Sequence, residues 1–235
     1  MSSVGFRLLR SRNKAVNTDP NVKLLLHANG TNGATTFTDS SGWSKTPSII
    51  GGNVQLSTAQ QKFGTASMLF DGTTDYLDYG DDADFQLGSL ATVECFIRTS
   101  SFAAQQIVFS KHGAGDSALS MSLDDATNMR MYSYQIDNAT PVYDSTFAHG
   151  MSTNTWYHIC LQLWSGNWGV YRDGTRIATG ATTGTMSTGT GVFQIGARGT
   201  GSSFNGYIDE FRLTNGTTKY ATGGFTAPTA EHANP

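Results

Sequence analysis

Cysteine is nearly absent from this chain. Only Cys95 and Cys160 are present, far apart and each inside a strand-like apolar run. That excludes a disulfide framework, and no Cys-x-x-Cys or Cys/His cluster offers a zinc site. The two thiols read as buried and reduced, with a bridge between neighbouring strands as the alternative. Charge is scarce as well: 14% of residues are charged and the net charge is −3. This balance argues against a general nucleic-acid or membrane-surface binder. No apolar run approaches the roughly 20 residues of a membrane-spanning helix. Residues 1–16 lack the apolar segment of a signal peptide, which predicts a protein that starts life in the cytoplasm. Helical periodicity is missing too, apart from a short helical turn suggested over residues 81–87.

What is there is glycine (27 residues), threonine and serine, crowded between short alternating runs. VKLLLHANG, ATVECFIRTS, QIVFSKHG, ALSMSLDD, NMRMYSYQI, WYHICLQLW and GVFQIGARG each read as one strand. ATVECFIRTS places Val93, Cys95 and Ile97 on one face. SMLFDGTTDYLDYG gives two strands around an Asp-Gly turn, and WGVYRDGTRIATG is a hairpin about Asp173-Gly174. Turn signals recur at roughly 8–12 residues, which predicts an all-β antiparallel sandwich or barrel in one domain. Residues 1–20 differ: Arg7, Arg10, Arg12 and Lys14 precede any acid, and Pro20 closes the segment. They read as a basic N-terminal arm that attaches to a partner surface, acidic or strand-accepting. Residues 21–228 form the domain, and 229–235 a C-terminal tail or strap.

The chemical question lies in Gly206-Tyr207-Ile208-Asp209-Glu210-Phe211-Arg212-Leu213. Strict alternation puts Asp209 on the face of Tyr207, Phe211 and Leu213, where an acid is costly unless neutralised. It holds a cation, accepts backbone N–H groups, or pairs with an arginine. A glycosidase needs two carboxylates on one face, and the adjacent Asp209 and Glu210 face opposite ways, while Glu94 stands alone. His27, His112, His149, His158 and His232 lack a Ser and Asp context, and no Gly-x-Ser-x-Gly elbow is present. Asp71, Asp75, Asp78, Asp81, Asp82 and Asp84 read as turn chemistry. Exposed aromatics with polar neighbours can stack on sugars, and the candidates are Trp164, Trp168, Tyr132 and Tyr134, with Tyr143 beside them. Trp43 and Trp156 read as core or loop-anchoring residues.

In order, KFGTASMLFDGTTDYLDYG, ADFQLGSLATVECFIRT, IVFSK, TWYHICLQL, VYRDGTRI, VFQIGAR and FNGYIDEFRLTNGTTKYATGGFTAP resemble the laminin-G-like, concanavalin-A-like jelly-roll domains. They resemble most those of bacteriophage structural and bacterial surface proteins. The resemblance implies a two-sheet antiparallel jelly-roll sandwich with one concave face, to which the basic residues 1–20 add an extended N-terminal arm. It also implies a structural calcium ion held by Asp209 with oxygens of the first strand-loop, here Asn29, and of Asp39 further on. The resemblance does not fix function; taken with the missing signal peptide, the reduced thiols and the basic arm, it leads to the expectation of a non-enzymatic virion protein assembled in the host cytoplasm, foremost a capsid decoration protein. That protein would be anchored on a phage capsid or tail protein by its arm, trimeric, and displaying a lectin-like body. The alternatives are a tail or head-fibre adhesin binding host glycan, and a bacterial carbohydrate-binding module.

Overall fold

A computed structural model describes residues 19–113, 116–135, 140–184, 190–199 and 201–235. Short alternating runs separated by glycine turns give fifteen strands among the described residues. These are β1 (Val22–Leu26), β2 (Ile49–Gly51), β3 (Gln55–Ser57), β4 (Ser67–Asp71), β5 (Tyr76–Asp78), β6 (Ala91–Thr99), β7 (Gln106–Gly113) and β8 (Asp116–Leu123). They continue with β9 (Asn128–Tyr134), β10 (Pro141–Ala148), β11 (Tyr157–Trp164), β12 (Asn167–Arg172), β13 (Thr175–Ala181), β14 (Val192–Ile195) and β15 (Asn205–Asn215). The expected helical turn is a single 3-10 turn, Ala83–Phe85, capped by the Asp82 carboxylate accepting from the Asp84 amide.

The strands form two antiparallel sheets. Sheet A has eight strands in the order β13-β12-β11-β6-β15-β4-β3, with β1 also paired to β15; sheet B has seven, β10-β9-β8-β7-β14-β5-β2. Apolar residues at alternate positions meet between them. Val93, Cys95 and Ile97 of β6 and Ile159, Leu161 and Leu163 of β11 face Met121, Met129, Phe193 and Ile195 of sheet B in one core. The Asp173-Gly174 turn joins β12 to β13 with positive φ at both residues, as the hairpin reading requires. The Asp71-Gly72 turn joins no hairpin, because β4 lies in sheet A and β5 in sheet B. Both cysteines are free. They sit on adjacent strands with opposite parity: Cys95 lies in the core and pairs with Ile159, while Cys160 pairs with Glu94. No bridge can join them.

The strict alternation read for β15 does not hold. A bulge interrupts its pairing with β6 between Asp209 and Arg212, and Glu210 takes φ +50°. The extra residue restores parity after the break, so Ile208, Phe211 and Leu213 all enter the core. Asp209 therefore stands on the outer face, not among the bulky apolar residues. The bulge also marks a change of partner: Asn205–Ile208 pair with β4, and Phe211–Thr214 with β1.

The C-terminal segment is part of the domain. It runs across the outer face of sheet A, where Gln162 Nε2 donates to the Tyr220 carbonyl and Tyr171 Oη to the Thr222 carbonyl. Tyr220 stacks on Phe225 with ring centroids 3.8 Å apart, and both meet the edge of His158. The strap continues past residue 228. His232 is buried, and its amide donates to Glu210 Oε2 at 2.8 Å.

Candidate functional site

The outer face of sheet A is closed. Beneath the strap, Glu94 is fully buried and takes Arg212 Nε and Nη2 on Oε1 at 2.8 and 2.5 Å. Its Oε2 meets His158 Nε2 at 2.9 Å and the Tyr220 hydroxyl at 2.7 Å. Burial alone would raise its pKa; the His158 hydrogen bond and the Arg212 charge outweigh burial and hold it at about 2. His232, buried beside this cluster, is pushed down to about 3 by loss of solvent. Glu94 is thus a structural anion, fully neutralised and covered. In sequence Glu94 stands alone and His158 has no Ser and Asp context, because Arg212, Tyr220 and His232 come from a different part of the chain.

Asp209 keeps only one of its three sequence readings. Its Oδ2 accepts the amides of Lys62 and Phe63 at 2.7 and 3.1 Å, and Oδ1 the amide of Glu210 at 2.9 Å. Burial drives its pKa up to about 7 against those bonds. Asp39 takes the Leu25 and Ser41 amides on Oδ1 and the Ser41 hydroxyl and Lys45 amide on Oδ2. Asn29 Oδ1 accepts from the Thr65 amide at 2.6 Å. These oxygens are surrounded by N–H and O–H donors, where a calcium ion would need bare lone pairs. Asp209, Asn29 and Asp39 do not fit calcium.

The bonding between first and last strands falls to Glu210 instead. His27, just after β1, places Nδ1 2.8 Å from Glu210 Oε1 and 3.0 Å from Oε2, and its Nε2 meets Asn234 Oδ1 at 2.8 Å. The Glu210 hydrogen bond raises the His27 pKa to about 9 against the opposing effect of burial.

The outer face of sheet B is polar and differently made. Ser110, Ser120 and Ser122 lie on its middle strands, with Gln194 on one side and Tyr132, Arg130 and Asp144 on the other. Arg130 grips Asp144 through Nε and Nη2 at 2.8 and 2.6 Å, and the Tyr134 hydroxyl donates to the same carboxylate at 3.0 Å. Tyr132 lies between two guanidinium groups, Arg130 at 4.9 Å and Arg198 at 5.6 Å from its ring. Arg198 also bonds the Tyr132 hydroxyl, and its turn folds over the sheet through Ser110 Oγ to the Ala197 carbonyl at 2.8 Å. At one end Ser122 and Gln105 both donate to Asp124, beside a polar cleft of about 340 Å³ lined by Thr73, Ser101, Ser202 and Asn205.

The aromatic candidates divide. Tyr134 is half-buried at this face, and Tyr132 belongs to it but is only 3% exposed, because Arg198 covers it. Trp168 is 4% exposed: it sits in the core against Tyr143, packed beneath Gly180. Trp164 is half-buried on the other sheet, lying over Gly169, where a Cβ would come within 2.8 Å of the ring. The four do not form one platform. Trp43, expected to be core or anchoring, is 48% exposed, with Lys23 Nζ 4.1 Å from its ring centroid. Arg7, Arg10, Arg12 and Lys14 lie outside the described residues.

The family model of the concanavalin A-like lectin/glucanases superfamily matches residues 71–220, and the chain belongs to that superfamily. Among solved structures it is similar to domain 4 of an extracellular arabinanase from Geobacillus stearothermophilus, in complex with arabinotriose. There the TM-score is 0.65 at 16% identity, over 88% of this chain and 94% of that one. It is similar as well to the receptor-binding domain of botulinum neurotoxin type G, with a TM-score of 0.63 at 16% identity, over 86% of this chain and 49% of that one. The serotype D binding domain gives 0.59 at 13%, over 83% and 48%. This chain spans about half the length of the neurotoxin domains. At such identities the likeness is one of fold. Comparison with curated proteins gives no match.

Proposed function

We propose that this chain is a non-enzymatic recognition domain whose ligand, a glycan, lies on the outer face of sheet B around Tyr134, Arg130 and Asp144. One observation carries this reading: sheet A spends its buried acids on internal partners under the strap, whereas sheet B keeps an accessible edge. There Tyr134 stands beside the bidentate Arg130–Asp144 ion pair, while Ser110, Ser120 and Ser122 are buried behind it. That edge has the mixture of planar and hydrogen-bonding groups that sugars use. Among the described residues, neither face sets two free carboxylates across a cleft, as glycoside hydrolysis requires. The arabinotriose complex of the arabinanase domain supports a sugar as the ligand class. The test is a glycan array with the wild type and Tyr134→Ala. Binding that falls at least tenfold in the variant (about 1.4 kcal/mol) supports the site. An array on which the wild type binds nothing overturns the reading.

The setting we propose is a bacteriophage particle, with the domain as a trimeric capsid decoration protein held by residues 1–20. The basic composition of that segment and the resemblance to phage structural proteins support it. Deleting residues 1–20 is expected to leave the domain folded and abolish co-sedimentation with particles. Truncated protein that still co-sediments refutes the anchoring role, and labelling confined to the tail tip favours an adhesin.

A further inference from the structure

Three chain segments distant in sequence converge at the open end of the strap. His27 follows β1, Glu210 is the bulge residue of β15, and Glu231 lies in the C-terminal segment. One ligand atom from each lies within 4.8 Å of the others. The group is held from behind. Asn234 Oδ1 accepts from His27 Nε2, which leaves Nδ1 to face Glu210. Asn29 Nδ2 donates to Glu231 Oε1 at 2.6 Å and fixes that carboxylate. The His232 amide donates to Glu210 Oε2, and Oε1 pairs with His27 Nδ1 at 2.8 Å, the contact that an ion taking both groups would replace.

Gly64, at φ +60°, lets the Asn29 amide and the Glu231 carboxylate pack directly against the backbone, since a Cβ there would collide with both Asn29 Oδ1 and Glu231 Oε1. There is also a way in: a cavity of about 260 Å³ lined by His27, Ala28, Asn29, Thr36, Thr38 and Ser40 opens beside the ring, and Glu231 is exposed. One imidazole nitrogen with two carboxylates suits zinc, which takes three protein ligands and leaves a fourth position for water. A second hydrogen bond that sets the histidine tautomer is the usual support for such a ligand. Calcium, with its preference for six or more oxygens, is poorly served by the same set.

We propose that His27, Glu210 and Glu231 bind a zinc-class divalent transition-metal ion that pins the C-terminal segment to the first and last strands. This site is separate from the face proposed for glycans and from the acids that the resemblance implied for calcium. The test uses the full chain, chelator-treated, and titrated with ZnCl2 by calorimetry and with CoCl2 by visible absorption. One Zn2+ per chain is expected, with a Co2+ spectrum of a nitrogen–oxygen site, a rise in Tm reversed by chelator, and no comparable rise with CaCl2. Glu231→Gln, an exposed change that spares the fold, should weaken Zn2+ binding at least tenfold, and His27→Gln should abolish it. Gly64→Ala, whose Cβ would push the Glu231 carboxylate aside, should weaken binding as well. Unchanged Zn2+ affinity in Glu231→Gln, or no binding by the wild type, overturns the assignment.

Discussion

Asp209 and Glu210 are neighbours in sequence, yet their carboxylates hold two different segments of the chain. Asp209 takes the amides of Lys62 and Phe63, in the loop before β4. Glu210 takes His27, immediately after β1. The bulge between them is where β15 exchanges one partner strand for the other. A bulge lets successive side chains serve two different neighbours, which regular alternation forbids.

Replacing Asp209 by Ala is therefore expected to act locally. It leaves the Lys62 and Phe63 amides without an acceptor, at a cost of about 1–3 kcal/mol. Hydrogen exchange should show faster exchange at residues 62 and 63 with little change in β11 or β12. Uniform loss of protection would contradict this.

Glu94→Gln is expected to be more severe. It strips the charge that faces Arg212, His158, Tyr220 and His232, and breaking a buried pair costs roughly 3–5 kcal/mol. Its pH dependence has a definite sign. The folded pKa of Glu94, about 2, lies below its ordinary value of 4.5. The stabilisation is thus complete above pH 4.5 and lost as pH falls toward 2. His232, depressed to about 3 from 6.5, adds loss in the same direction below pH 6.5. Asp209 and His27, both raised, act in the opposite sense. Denaturation of wild type and Glu94→Gln at several pH values isolates the Glu94 part: their difference should shrink as pH drops from 4.5 to 2.

Truncation separates tail from strap. Removing residues 229–235 takes away the His232 amide from Glu210 and the cover over Glu94, and should lower stability by about 1–3 kcal/mol while the domain still folds. Removal from residue 218 onward also strips Tyr220 and Phe225 from Tyr171 and His158, and should give dye-binding or insoluble protein. Equal thermal midpoints for the full chain and the shorter deletion would count against the strap.

The thiols give a simple check. Burial pushes both Cys95 and Cys160 far above the usual thiol range. Neither should react with a thiol reagent in native protein, and both should react after denaturation. Fast labelling of either under native conditions would show that a sheet opens.

Alternation made much of the fold legible. Val93, Cys95 and Ile97 declare their face because β6 is regular, and Asp173-Gly174 declares its hairpin because both residues need positive φ. The bulge was not legible: nothing in Ile-Asp-Glu-Phe announces a left-handed Glu210, and one extra residue moves every side chain before it to the other face. Nor was the Glu94 cluster, whose members lie on β6, β11, β15 and the strap and meet only once the sheet is built. Trp168 looked like an exposed platform because its turn is polar, but its strand parity puts it inside. Tyr132, offered as an exposed aromatic, does point outward from sheet B, but the turn after β14 buries it, and no alternation pattern in β9 announces that cover.

The position of Asp19 bears on the strap. Its carboxylate pairs with Lys219 at 2.9 Å, and the Lys219 amide is held by Thr92 on the covered face of sheet A. Asp19 and Lys219 thus clasp the first described residues to the strap, so both are tied down on the covered side of the sandwich and loosening one frees the other.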